Sequence, residues 1–160
     1  MEPKVIEKDT FRVAGYQFEA NLQQVKEQDL VGKTLSKLKE NADLFQHKLG
    51  NHFYLIQVYP MKDQFDVNED TFTNIIGYEV ADEDVPDGAI LHTIAKNTYV
   101  AYTHKGPESD LQQSYDYLYG RWLKANNYMP VGYDLELWDE RYKREQPDNE
   151  IDMFIAVEKY

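Results

Sequence analysis

Apolar positions along this chain switch between a period of two and a period near 3.6, and the switch occurs twice. Val5 to Gln17 reads as extended, with a break at Asp9-Thr10. From Leu30 to Lys48, Val31, Leu35, Leu38, Ala42 and Phe45 fall at helical spacing. Leu49-Gly50-Asn51 then places a Gly where helices commonly end. Phe53 to Tyr59 and Phe72 to Val80 read as strands. The polar loop between them carries Pro60, Asp63, Asp66, Asn68 and Asp70.

The plan repeats beyond Asp82-Glu83-Asp84-Val85-Pro86-Asp87-Gly88, the sharpest turn signal in the chain. Ile90 to His104 is extended, with a break near Lys96-Asn97. Gly106-Pro107-Glu108 opens a second helix, with Pro in its first turn and acids at its positive end. Leu111, Tyr115, Leu118, Trp122 and Leu123 form its apolar stripe, and Asn126-Asn127 and Pro130 end it. Tyr133 to Tyr142 and Ile151 to Val157 close the chain as strands around a polar loop, Lys143 to Asn149.

The pattern predicts an α+β fold, a β-α-β-β unit used twice within one domain spanning 1–160. The half-repeats cover about 1–81 and 88–160. Neither half buries its sheet and helix faces well alone, so the two are expected to share one antiparallel sheet. Both helices are then expected on one side of it, with a ligand groove on the other.

At 160 residues, one domain is the expectation, burying roughly 70% of the extended chain's surface. The formal charge of −12 and the lack of a basic stripe argue against nucleic acid as a direct partner. The chain has no Cys, which removes disulfide, thiolate and zinc-thiolate chemistry and suits a cytoplasmic location. The N-terminus lacks the apolar core of a signal peptide, and no apolar run is long enough to span a membrane. His47, His52, His92 and His104 show no paired ligand spacing, so no metal or other cofactor is expected. No Gly-x-Ser-x-Gly supports a serine hydrolase.

The chemistry concentrates in Tyr133-Asp134-Leu135-Glu136-Leu137-Trp138-Asp139. In a strand, Leu135 and Leu137 share one face, and Asp134, Glu136 and Trp138 share the other. A carboxylate beside an indole suits a flat, greasy cation, through charge and through a π-face. The same alternation also describes a half-solvated sheet face. Burial among aromatic side chains would raise the Glu136 pKa.

These residues resemble a known family. The resemblance lies in Gly77-Tyr78-Glu79-Val80, Val85-Pro86-Asp87-Gly88, Thr98 to Pro107, Trp122-Leu123, Leu135 to Asp139 and Ile151 to Ile155. In that order and spacing they look like GyrI-like domains, the effector-binding domains found fused to AraC- and MerR-type DNA-binding modules and also alone. The match covers essentially the whole chain. It implies the duplicated fold with a groove between its halves. It also implies that an acidic residue of the penultimate strand, here Glu136, meets lipophilic cations among aromatic side chains.

Trp138 stands where the family commonly has Tyr, Phe154 where it often has Tyr, and Ala156 where it often has Pro. The candidate wall is Glu136, Trp138, Phe154, Trp122, Tyr119, Tyr54 and Tyr102. With no attached DNA-binding module in view, the expectation is a standalone binder acting in sensing or sequestration, and not an enzyme. Two alternatives stay open. One is a hydrolase of strained-ring genotoxic natural products using Glu136 to handle water. The other is a protein inhibitor of the gyrase-inhibiting kind, which would have a protein partner.

Overall fold

A computed structural model describes residues 2–160. A short strand β1 (Lys4–Lys8) and a long one β2 (Phe11–Ala20) lead into α1 (Leu22–Glu27) and α2 (Leu30–Glu40). Strands β3 (Lys48–Val58), β4 (Phe72–Val80), β5 (Ile90–Ile94) and β6 (Asn97–Lys105) follow. The second helical segment runs from α3 (Leu111–Tyr117) through a π turn (Leu118–Trp122) into α4 (Leu123–Ala125). Strands β7 (Tyr128–Trp138) and β8 (Glu150–Lys159) complete the chain.

All eight strands form one antiparallel sheet, in the order β1-β6-β8-β7-β3-β4-β2-β5. The order is symmetric about the β7–β3 pair, and reading outward from either side gives the same plan. Both central strands also carry an irregular register at their starts, between Lys48 and Phe53 in β3 and between Pro130 and Asp134 in β7.

The two breaks expected within the long extended stretches do more than kink a strand. β1 pairs with β6 of the other half, and β5 pairs with β2. Yet β1 connects to β2, at the opposite end of the sheet, through Asp9-Thr10 alone. Three residue steps reach at most about 11 Å. The two ends of the sheet must therefore lie close together, and the sheet is curled.

Curling gives the sheet an inner and an outer apolar face. The inner face buries Val13, Tyr54, Ile56, Ile75, Ile94, Tyr99, Leu135, Phe154 and Ala156 against one another without a helix. The outer face carries both helical segments. Leu55 of β3 faces Glu136 of β7, which faces Met153 of β8. Leu55 packs in one cluster with Leu38 of α2, and Met153 packs in another with Leu118 and Leu123. The helices thus share one side, as expected. The space between them opens over β3 and β7 on that same side. The groove therefore lies with the helices, not on the opposite face, because the curled sheet fills its other face with its own side chains.

The bounds of α2 and β7 are among those that differ from the expected ones. Helix α2 ends at Glu40, and its C-cap Asn41 donates its side-chain amide to the Lys37 carbonyl at 3.0 Å, while Lys48 to Asn51 belong to β3. Gly50 therefore sits in the irregular start of a strand and does not cap a helix. Strand β7 begins at Tyr128, before Pro130, and stops at Trp138.

Gly15 and Gly77 face each other across β2 and β4. A Cβ at Gly15 would lie 2.0 Å from the Ile76 carbonyl oxygen, a backbone atom that cannot swing away. Gly15→Ala is expected to cost about 1–3 kcal/mol or more. A denaturant midpoint equal to that of the wild type would contradict this close approach.

Candidate functional site

Strand β7 presents Asp134, Glu136 and Trp138 to the helix side, as its period of two requires. Glu136 is 1% exposed, and so is Asp134. Glu136 accepts from the Trp138 indole N–H at 2.9 Å, from the Gln57 amide at 3.3 Å and from the Tyr115 hydroxyl. Asp134 Oδ2 lies 2.7 Å from the hydroxyls of both Tyr59 and Tyr119, while its Oδ1 meets no partner.

Tyr115 and Tyr119 are one helical turn apart and reach the two carboxylates from above. Their rings lie roughly parallel, with centroids 6.3 Å apart. Tyr119 sits in the π turn, a local widening of the helix that frequently marks functional sites. Burial and the adjacent carboxylates push the Tyr59, Tyr115 and Tyr119 hydroxyls well above the usual phenol range, so they remain donors.

Burial raises the Glu136 pKa, opposed by the bonds from Tyr115 and Trp138 and reinforced by Glu108. Burial likewise pushes Asp134 up to about 7, opposed by Tyr119 and Tyr59 and reinforced by Glu136. Neither carboxylate has a Lys or Arg partner among the described residues. Arg141 is bound instead to Asp139 at 2.9 Å and Asp152 at 2.7 Å.

Glu136 lies at the wall of a cavity of about 1380 Å³ between α2 and α3. That exceeds the usual range for small-molecule sites. Leu35 and Val31 of α2, Leu55 and Gln57 of β3, Leu111, Tyr115 and Tyr119 of the second helical segment, and Trp138 and Tyr142 line it. Trp138 is clamped between Tyr142, stacked at 4.6 Å, and Phe53, tilted at 5.3 Å. Asp29, Asp63, Glu108, Asp116 and Glu145 also line the cavity, against the cations Lys26, Lys62 and Arg144.

Of the residues singled out from sequence, Glu136, Trp138 and Tyr119 come together at this wall. The others lie elsewhere. Phe154 pairs opposite Leu135, so it shares the inner face, and Tyr54 joins it there. These two rings already hold a cation of the chain's own. The Lys8 ammonium lies 4.7 Å from the Phe154 ring centre, 5.4 Å from Phe11 and 5.9 Å from Tyr54. Burial there lowers the Lys8 pKa, opposed by Glu79 and Asp152.

Trp122 stacks on Tyr128 at 5.9 Å, and Tyr102 packs on Tyr117 at 5.8 Å, both outside the cavity lining. From sequence, helical spacing gives Tyr115 a packing role, Tyr59 reads as a core or rim aromatic of a strand face, and nothing marks Gln57. The four-residue step from Tyr115 to Tyr119 was the available signal that both face one side.

His104 bridges the Ser114 hydroxyl at 2.7 Å and the Pro107 carbonyl at 3.0 Å, tying the loop to α3. Half-buried His47 stands with exposed Asp82 and Asp84, their polar atoms within 4.8 Å of one another. Among the described residues no helix is long and apolar enough to cross a membrane.

Comparison with known proteins bears on the fold and the family. The transcriptional regulator BrlR of Pseudomonas aeruginosa is 23% identical over 160 residues, covering 98% of this chain but 56% of its own length. This chain thus spans just over half of that relative.

The fold matches the structure of SAV2435 bound to tetraphenylphosphonium with a TM-score of 0.74, at 13% identity over 99% of this chain and 94% of that one. It also matches EcmrR in its DNA complex with a TM-score of 0.70, at 18% identity over 99% of this chain and 58% of that one. The family model for integron-associated effector-binding proteins, Cass2, matches residues 4–157. This chain therefore belongs to the integron-associated effector-binding (Cass2) family, in keeping with its GyrI-like sequence features.

Proposed function

We propose that this chain binds lipophilic organic cations in the cavity between α2 and α3, with ionised Glu136 as the counter-charge, for sensing or sequestration. One observation carries this reading: a fully buried glutamate without a cationic partner faces a cavity lined with aromatic rings. An unpaired buried charge costs several kcal/mol, and a cation against it offsets that cost.

Tyr142 and Tyr115 offer π-faces, each contributing about 0.5–2 kcal/mol to a desolvated cation, while Trp138, held between Tyr142 and Phe53, fixes the Glu136 carboxylate and lends its edge to the wall. The surrounding acids favour entry of cations over anions. The SAV2435 structure, whose ligand is a lipophilic cation, supports the same choice of ligand class by likeness of fold.

Tetraphenylphosphonium and tetraphenylborate match in shape and differ in sign, so a melting experiment with both isolates the charge. At a hundredfold excess over Kd the bound cation is expected to stabilise the fold by about 2.7 kcal/mol. For a chain of this size that is a rise of roughly 5–10 °C. The anion is expected to give none. Equal shifts for both ions, or no shift with the cation, would contradict the reading.

A further inference from the structure

Asp134 and Glu136 are joined by more than a shared strand face. The Tyr59 hydroxyl lies 2.7 Å from Asp134 Oδ2 and also 2.7 Å from Gln57 Oε1. Gln57 Nε2 in turn donates to Glu136 Oε2 at 3.3 Å. A phenol has one hydrogen to give, and an amide carbonyl only accepts. When Tyr59 donates to Gln57, its contact with Asp134 needs a hydrogen from the Asp134 carboxyl itself.

The same hydrogen accounts for a second oddity. Asp134 Oδ1 is buried and meets no partner. A carboxylate oxygen left bare in such a place is far more costly than the carbonyl oxygen of a neutral acid. One proton on Asp134 resolves both features and leaves the pair with a single negative charge, on Glu136.

We propose that Asp134 holds this proton in the ligand-free protein and releases it when a cation settles against Glu136, so that cation binding is linked to proton release. The inference rests on Glu136 being the counter-charge. On release, the O–H bond of Asp134 breaks, its electron pair stays on the carboxylate, and the proton passes to solvent. Tyr59 then turns its hydrogen from Gln57 to Asp134. The arriving positive charge favours ionisation of a nearby carboxyl in a low-dielectric site. By reciprocity, loss of the proton strengthens the cation's hold.

The groups facing Asp134 do not supply that charge themselves. They are Tyr59 just past the end of β3, Tyr115 and Tyr119 from the helical segment, Ile155 from β8 and Glu136 on its own strand. Glu108 acts on Glu136 from farther out. The pKa of about 7 for Asp134 places the release near neutral pH.

Calorimetric titration of tetraphenylphosphonium at about pH 7, in two buffers of small and large ionisation enthalpy, reads the proton directly. Wild type is expected to give heats that differ between buffers, corresponding to a released fraction of a proton. Asp134→Asn is expected to give the same heat in both. Buffer-independent heat from wild type, or equal release from Asp134→Asn, would overturn the proposal.

Infrared difference spectra of ligand-free wild type give a second test without the cation. A protonated-carboxyl C=O band is expected at about pH 6 and gone at about pH 9, and absent in Asp134→Asn. Its absence from wild type would also overturn the proposal. If the cation fails to bind wild type, the reading of Glu136 falls and the linkage with it, while the infrared band still decides whether Asp134 is protonated.

Discussion

Glu136→Gln is expected to weaken binding of a lipophilic monocation by about tenfold to just over a hundredfold while the fold persists. The amide keeps the shape of the side chain, and its oxygen still accepts from the Trp138 indole. What it loses is the charge, worth roughly 1.5–3 kcal/mol for a charge-assisted contact. Removing a buried charge also relieves the burial that raises the Glu136 pKa, so the ligand-free variant is expected to melt no lower than wild type.

The pH dependence carries the same sign. Protonation of Glu136 removes the counter-charge, so wild-type affinity falls as pH drops through its raised pKa. The variant loses that dependence. Titration of wild type and variant by tryptophan fluorescence across pH measures both effects. Equal affinities for every cation that binds wild type would place Glu136 outside the site.

Trp138→Ala is expected to have the largest effect on stability. The indole is 4% exposed, clamped between Tyr142 and Phe53, and holds Glu136 through its N–H. Truncating a buried Trp to Ala costs about 3–5 kcal/mol, because the lining does not collapse fully into the space. In a chain of this size that lowers Tm by on the order of 10 °C. Trp138→Phe restores much of the packing but not the N–H donor, so it is expected to recover stability while binding cations more weakly. Recovery of full affinity by Trp138→Phe would show that the hydrogen bond to Glu136 is immaterial.

Much of the architecture could be read from the chain because it depends on local period. The alternation in β7 is enough to put Asp134, Glu136 and Trp138 on one face, and Leu111, Tyr115 and Leu118 mark a helix. The breaks near Asp9 and Lys96 were visible as polar interruptions. What they do was not, since pairing β1 with β6 and β5 with β2 is a long-range event that no local pattern encodes.

The same limit explains Phe154 and Tyr54. Which face of β8 meets the face of β7 holding Glu136 depends on register, and the register sets Phe154 beside Leu135. The groove was sought on the helix-free face because an open sheet leaves that face bare. Curling removes the opening, and Lys8 occupies the aromatic box formed there. Helix α1 escaped notice because six residues with only Leu22 and Val25 apolar carry little periodic signal. Asn21 and Gln24, which cap it reciprocally at 2.8 and 2.9 Å, were its best marker.

A crystal structure of the wild-type protein grown with tetraphenylphosphonium tests the central claim most directly. The account predicts density for the phosphonium between α2 and α3, with its phenyl rings against Trp138, Tyr142 and Tyr115 and Glu136 as the nearest carboxylate. Density seated on the inner face beside Lys8 and Phe154, or a bound cation whose nearest carboxylate is a rim acid such as Asp116 or Glu145, would contradict it.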